Sequence, residues 1–150
     1  MKSVTNTKQS CEALKQVLAD TYILTIKIQN VHWNIEGDGF IAIHKHLDEQ
    51  YEDLSEAVDE IAERIRALGE NTPASMQSFL DLTRLEESQA AIKGVKPGIK
   101  ALVADHERMS ELMTEHIALL DQENDYGTVD LLTDRIRVHD KFAWLLRANL

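Results

Sequence analysis

The chain has 150 residues, 43% hydrophobic and 28% charged, which is the length and balance of one globular domain spanning residues 1 to 150. Sixteen basic residues against 26 acidic ones leave a formal charge of −10, which disfavours nucleic acid and anionic membrane as partners and favours cations. No apolar run approaches the roughly 18 to 20 residues that cross a bilayer, and the opening "MKSVTNTKQS" lacks a signal-peptide core, so the expectation is a cytoplasmic protein.

Residues 1 to 10 are polar and read as a short N-terminal tail. Cys11 has no disulfide partner and reads as a bystander. From Ala13 to Ile35 the apolar residues Leu14, Val17, Leu18, Leu24, Ile28, Val31 and Ile35 recur at helical spacing, with Ile23 and Ile26 adding a second stripe. "EGDG" at 36 to 39 breaks this helix. A second runs from Phe40 to Leu68 on Ile43, Leu47, Leu54, Val58, Ile61, Ile65 and Leu68, and Gly69 stops it. Residues 70 to 97 are polar and hold both prolines, with room for one short helix in "ASMQSFLDL". A third long helix is expected from Gly98 to Asn124 and a fourth from Thr128 to Ala148, on either side of "NDYG". No segment alternates as a strand does. Two short connections and one long one predict an all-α four-helix bundle of ferritin-like connectivity, with a short helix in the crossover between helices 2 and 3.

On the second helix His44, Asp48, Glu52, Glu56, Asp59 and Glu63 recur every three or four residues, so they form one polar stripe. Carboxylates alone would describe a solvated face. His44, joined by His32 at the end of the first helix, changes the chemistry, because mixed imidazole and carboxylate ligands suit iron, zinc or manganese. Fifteen residues separate His44 from Asp59, about 22 Å along a helix, whereas metal–ligand bonds are about 2 Å. The two clusters cannot share an ion within one chain. If two copies lay their second helices antiparallel across a two-fold axis near residues 51 to 54, His44 of one would face Asp59 and Glu63 of the other.

The competing arrangement places both metals inside one bundle and uses Glu-x-x-His on two helices. The residues three before His32, His44, His46, His106, His116 and His139 are Gln29, Ile41, Ile43, Val103, Met113 and Ile136. None is a carboxylate, so that motif is missing.

"HWN" at 32 to 34, the spacing GxxFxxxHxxLDE at 37 to 49 and "DEIAERIRALG" at 59 to 69 resemble the Dps proteins, the DNA-binding proteins from starved cells, which are miniferritins. The resemblance extends to "TPASM", "LVADHE" and "DLLTDRIRVHDKFAWLLR" and so covers nearly the whole chain. It implies a homo-dodecameric hollow shell that oxidises Fe(II) and stores the ferric mineral, with hydrogen peroxide preferred over dioxygen, protecting the cell from oxidative damage. Its ferroxidase centres would take His32, His44 and Asp48 from one chain and Asp59 and Glu63 from the other, which agrees with the distance argument. It further implies that Trp33 sits beside the centre and takes up stray oxidising equivalents.

Glu52 and Glu56 read either as an ordinary solvated face or as groups that gather ferric ions for nucleation. "LDQENDYGTVD" resembles the family's three-fold pore segment, where Asp121 and Asp130 would ring an entrance and focus Fe(II) electrostatically. A polar turn is the plain alternative. Zinc is expected to compete for any such centre. The alternative function is DNA compaction, with residence in the nucleoid, but only Lys2 and Lys8 precede the first expected helix and the charge of −10 opposes a polyanion. The expectation is weak or absent DNA binding.

Overall fold

The computed structural model describes the backbone of residues 4 to 150 and the side chains of residues 7 to 150. Five helices and no strand occur among the described residues: α1 Val4–Asn34, α2 Phe40–Ala67, α3 Met76–Leu82, α4 Val95–Gln122 and α5 Tyr126–Arg147. Two helical hairpins, α1 with α2 and α4 with α5, are joined by the crossover that carries α3, which is the ferritin-like arrangement expected.

The helices form because each supplies an apolar stripe that only the others can cover. On α2 the buried residues are Ile43, Leu47, Gln50, Leu54, Ala57, Ile61 and Ile65, spaced three or four apart throughout. Leu14, Leu18, Leu24 and Ile28 of α1, Ile99, Leu102 and Met109 of α4, and Leu132 and Leu146 of α5 close the same core. No helix among the described residues is long and apolar enough to cross a membrane.

Glycine punctuates α2 at both ends. Gly37 and Gly39 adopt φ of 115° and 82° in the turn from α1, a region that side chains disfavour. At the far end Gly69 has φ 99°, its N–H donates to Arg66 O, and the Glu70 N–H donates to Ile65 O, a Schellman closure.

The first helix begins at Val4, so the expected tail of residues 1 to 10 is instead helical from residue 4 onward. Small residues explain the difference. Ser10 and Cys11 are fully buried, and the Ser10 hydroxyl donates to Asp125 Oδ2 at 2.5 Å, so the helix continues to reach α5. Lys8 lies within α1, 4.0 Å from Glu12, whereas Lys2 lies outside the described residues.

The crossover is fastened by a buried carboxylate. Asp20 of α1 accepts hydrogen bonds from Thr83 Oγ1 at 2.9 Å, the Arg84 N–H at 2.6 Å, and the Arg84 guanidinium at 2.7 and 3.1 Å. Ser75 caps α3 by accepting from the Ser78 N–H at 3.1 Å.

Candidate metal centre

His32 stands on the last turn of α1 and His44 on the second turn of α2, so the glycine turn between them decides how they meet. Each imidazole points its Nδ1 at the other residue's backbone carbonyl: His32 Nδ1–H donates to His44 O at 2.9 Å, and His44 Nδ1–H donates to His32 O at 2.8 Å. The rings stack with centroids 3.8 Å apart and planes 12° from parallel. Because a carbonyl can only accept, both Nδ1 atoms carry a proton, and the Nε2 atoms are the ones free to offer a lone pair to a metal ion.

One turn along α2, Asp48 brings Oδ1 to 3.5 Å from His32 Nε2. One ligand atom each from His32, His44 and Asp48 lie within 4.8 Å of one another, the one such grouping of three among the described residues. His32 is buried, while the Asp48 side chain is 42% exposed, so the cluster opens outward. Neutral imidazole nitrogens and a carboxylate suit a first-row metal ion and supply only part of a coordination shell.

Tyr51, which sequence reasoning passed over, completes the surroundings. Its hydroxyl donates to Asp48 Oδ1, and its ring meets His32 edge-on at 5.2 Å and 77°. The hydrogen bond to Asp48, with burial second, pushes the Tyr51 hydroxyl above its ordinary range. Its position three residues after Asp48 was the available signal.

The other expected residues stand apart from this cluster in the single chain. Asp59 and Glu63 are exposed further along α2, and Asp59 edges a hollow of about 340 Å³ floored by Tyr22 and Phe79. Glu52 and Glu56 are exposed between the two clusters. Trp33 is 68% exposed. Asp121 and Asp130 are both exposed, on the last turn of α4 and the first turns of α5.

Among the described residues, two histidines are buried in the interior of the bundle. There His106 Nε2–H donates to Gln50 Oε1 at 2.9 Å, which leaves His106 Nδ1 to accept from His139 Nδ1–H, also at 2.9 Å. This pattern needs neutral rings. Burial first, then Arg135 and His46, holds His106 down to about 3, and burial followed by His106 and Arg135 drives His139 well below its ordinary value. Their helical register among core residues was the signal for them, since His106 lies between Val103 and Met109.

A ferritin-like domain family model matches residues 11–150. The chain is 35% identical over 140 residues to antigen TpF1 of Treponema pallidum, covering 93% of this chain and 79% of that protein. It is 33% identical over 144 residues to DNA protection during starvation protein 2 of Bacillus anthracis, covering 95% and 97%. The crystal structure of TpF1 matches with a TM-score of 0.92 at 34% identity, covering 100% of this chain and 96% of that one. Dps from Vibrio cholerae, described as a member of a broad superfamily of ferritin-like diiron-carboxylate proteins, matches with 0.90 at 29% identity, covering 97% and 91%. Dps from Listeria innocua, soaked with zinc, matches with 0.87 at 29% identity, covering 93% and 94%. The chain is thus a ferritin-like protein, and within that family it belongs to the Dps proteins.

Proposed function

We propose that this chain is a ferroxidase miniferritin: it oxidises Fe(II) with hydrogen peroxide at centres shared between two subunits and stores the ferric product inside a homo-dodecameric shell. Membership of the ferritin-like superfamily supports iron handling and protection from oxidative damage as the general role. The observation that carries the finer reading is the incompleteness of the cluster. His32, His44 and Asp48 converge at an open edge, and the other expected ligands stand exposed further along α2, Asp59 about 22 Å from His44 along the helix and Glu63 one turn beyond it. A two-fold axis between α2 helices brings the halves together.

In that arrangement the imidazoles hold Fe(II) through their Nε2 atoms, already in the right tautomer, and the carboxylates favour Fe(III), which promotes loss of the electron. Glu63 is suited to bridge two irons, since one carboxylate offers two oxygens with spare lone pairs. Peroxide accepts two electrons, so paired irons reduce it to water without releasing hydroxyl radical. Trp33 lies next to His32 in sequence and is the expected trap for stray oxidising equivalents. Asp121 and Asp130 would draw Fe(II) through a three-fold pore, and Glu52 and Glu56 would seed the mineral. Zinc is the expected competitor at the centre. With −10 per chain, the shell is expected to bind DNA weakly or not at all.

The test is complementation between defective chains. His32→Gly with His44→Gly, and Asp59→Ala with Glu63→Ala, each damage every shared centre. In a mixed dimer one centre collects all four changes and the other keeps every ligand, so mixed shells should recover up to half the normal activity per mixed dimer. Mixed shells as inactive as their parents, with mixing established by mass spectrometry, would show that the centres do not span two chains.

A further inference from the structure

The turn that joins α1 to α2 contains a peptide bond able to rearrange. Asp38–Gly39 is the one place in the chain where an aspartate or asparagine precedes glycine. At such a pair the glycine nitrogen, unscreened by a side chain, can attack the aspartyl carboxyl carbon, provided that neither group is tied down. A helix forbids the attack, because each interior N–H is committed to the carbonyl four residues back. The other aspartates lie within helices, except Asp125, which is buried and held by Ser10, Arg64 and Thr128. Asp38 has neither restraint. It is exposed, and it enters no hydrogen bond or ion pair among the described residues. In the turn the Phe40 N–H donates to Gly37 O and the Ile43 N–H to Gly39 O, both at 3.1 Å, but the Gly39 N–H has no acceptor among the described residues. Nothing lies within 4 Å of the point where a side chain on Gly39 would begin.

We propose that Asp38–Gly39 is a self-modification site, at which an isoaspartyl bond forms and lengthens the connector between His32 and His44. The Gly39 nitrogen bonds to the Asp38 carboxyl carbon and loses its proton. That carbon loses a hydroxyl, the two leave as water, and a succinimide ring closes. Water then adds to one of the ring's carbonyls, and the C–N bond at that carbonyl breaks. Cleavage at the side-chain carbonyl restores aspartate. Cleavage at the main-chain carbonyl leaves isoaspartate, whose backbone runs through Cβ and Cγ and whose free carboxylate hangs from Cα. The main chain is then longer by one C–C bond of about 1.5 Å, whereas an N–H···O bond holds only from roughly 2.7 to 3.2 Å. The reciprocal bonds of His32 and His44, at 2.9 and 2.8 Å, span this connector, so the insertion parts them. The rearrangement is independent of the function proposed above, and its consequence falls on the histidine pair.

The experiment keeps the purified, folded protein for weeks in mildly acidic water enriched in heavy oxygen, beside a synthetic peptide of residues 33 to 44 as the unstructured reference. Digestion and fragment mass spectrometry then locate the heavy oxygen, and isoaspartyl methyltransferase labels the isoaspartate. Both marks are expected at Asp38, at a rate comparable with that of the free peptide. They should appear faster in Asp38→Asn, where ammonia leaves in place of water, and be lost in Asp38→Glu, whose longer side chain closes a ring far less readily. In the converted fraction deuterium uptake over the first turns of α2 should rise. Conversion confined to the free peptide, or heavier at another aspartate of the folded protein, would overturn the assignment. Unchanged deuterium uptake in the converted fraction would overturn the parting of the histidines.

Discussion

Acid is expected to loosen this bundle through its own core. His106 is fully buried, accepts from His139 and donates to Gln50, and it has no room for a second proton beside Arg135 and His46. Its value falls from 6.5 to about 3, so the unfolded chain takes up a proton below pH 6.5 that the folded chain refuses until near pH 3. The sign is therefore fixed: the neutral ring's contribution is intact above pH 6.5 and is lost as pH falls toward 3. The slope approaches about 1.4 kcal/mol per pH unit, and from pH 7 to 5 the loss from His106 sums to about 2 kcal/mol. His139 acts in the same direction. The comparison is between the unaltered protein and His106→Gln, which keeps hydrogen-bonding groups at that position and removes the titration. Urea unfolding would be followed by circular dichroism at several pH values and one fixed protein concentration, because assembly contributes to apparent stability. The variant should show a shallower dependence on pH. Equal slopes for the two proteins between pH 6.5 and 5 would refute the reasoning.

Asp20→Ala removes the carboxylate that fastens Thr83 and Arg84 to α1, and should cost about 3 kcal/mol in unfolding free energy, toward the low end for a broken buried pair because Arg84 keeps some contact with water. Asp121→Asn with Asp130→Asn should slow iron uptake at low ionic strength, measured by the rate of ferric absorbance, while the centres still bind metal; an unchanged rate would remove the pore assignment. The purified protein should leave DNA unretarded in a low-salt gel shift without added divalent cations, and retarded DNA would overturn that expectation.

The long helices were legible because their apolar stripes have no competing period, and α2 was bounded within one residue of its observed end by Gly39 and Gly69. Helix starts were harder to read. The fourth helix opens at Val95, three residues before the expected Gly98, since Pro97 falls in the first turn, where a missing N–H has no intrahelical acceptor to serve. A proline assigned to the crossover is thus part of the helix. Spacing put His44 and Asp48 on one stripe of α2, and the resemblance to the family joined His32 to them; the structure brings all three together. Tyr51 was not legible, since a search for metal ligands overlooks the phenol that bonds to one of them. The network of His106, His139 and Gln50 joins three helices, and no spacing within one helix announces a contact across 56 residues of chain.

The exchange between His32 and His44 makes the pair fault-tolerant in an unusual way. Each ring is oriented by the other residue's main chain, which every amino acid supplies, and not by the other's imidazole. A point change at either position therefore removes one candidate ligand and leaves the remaining ring its acceptor. Vulnerability moves to the connector. Gly37 and Gly39 hold backbone angles that a side chain resists, and a β-branched residue at either would shift both carbonyls together. Damage to this histidine pair can thus come from a residue that bears no candidate ligand atom, and a survey of variants scored only at the histidines would overlook it.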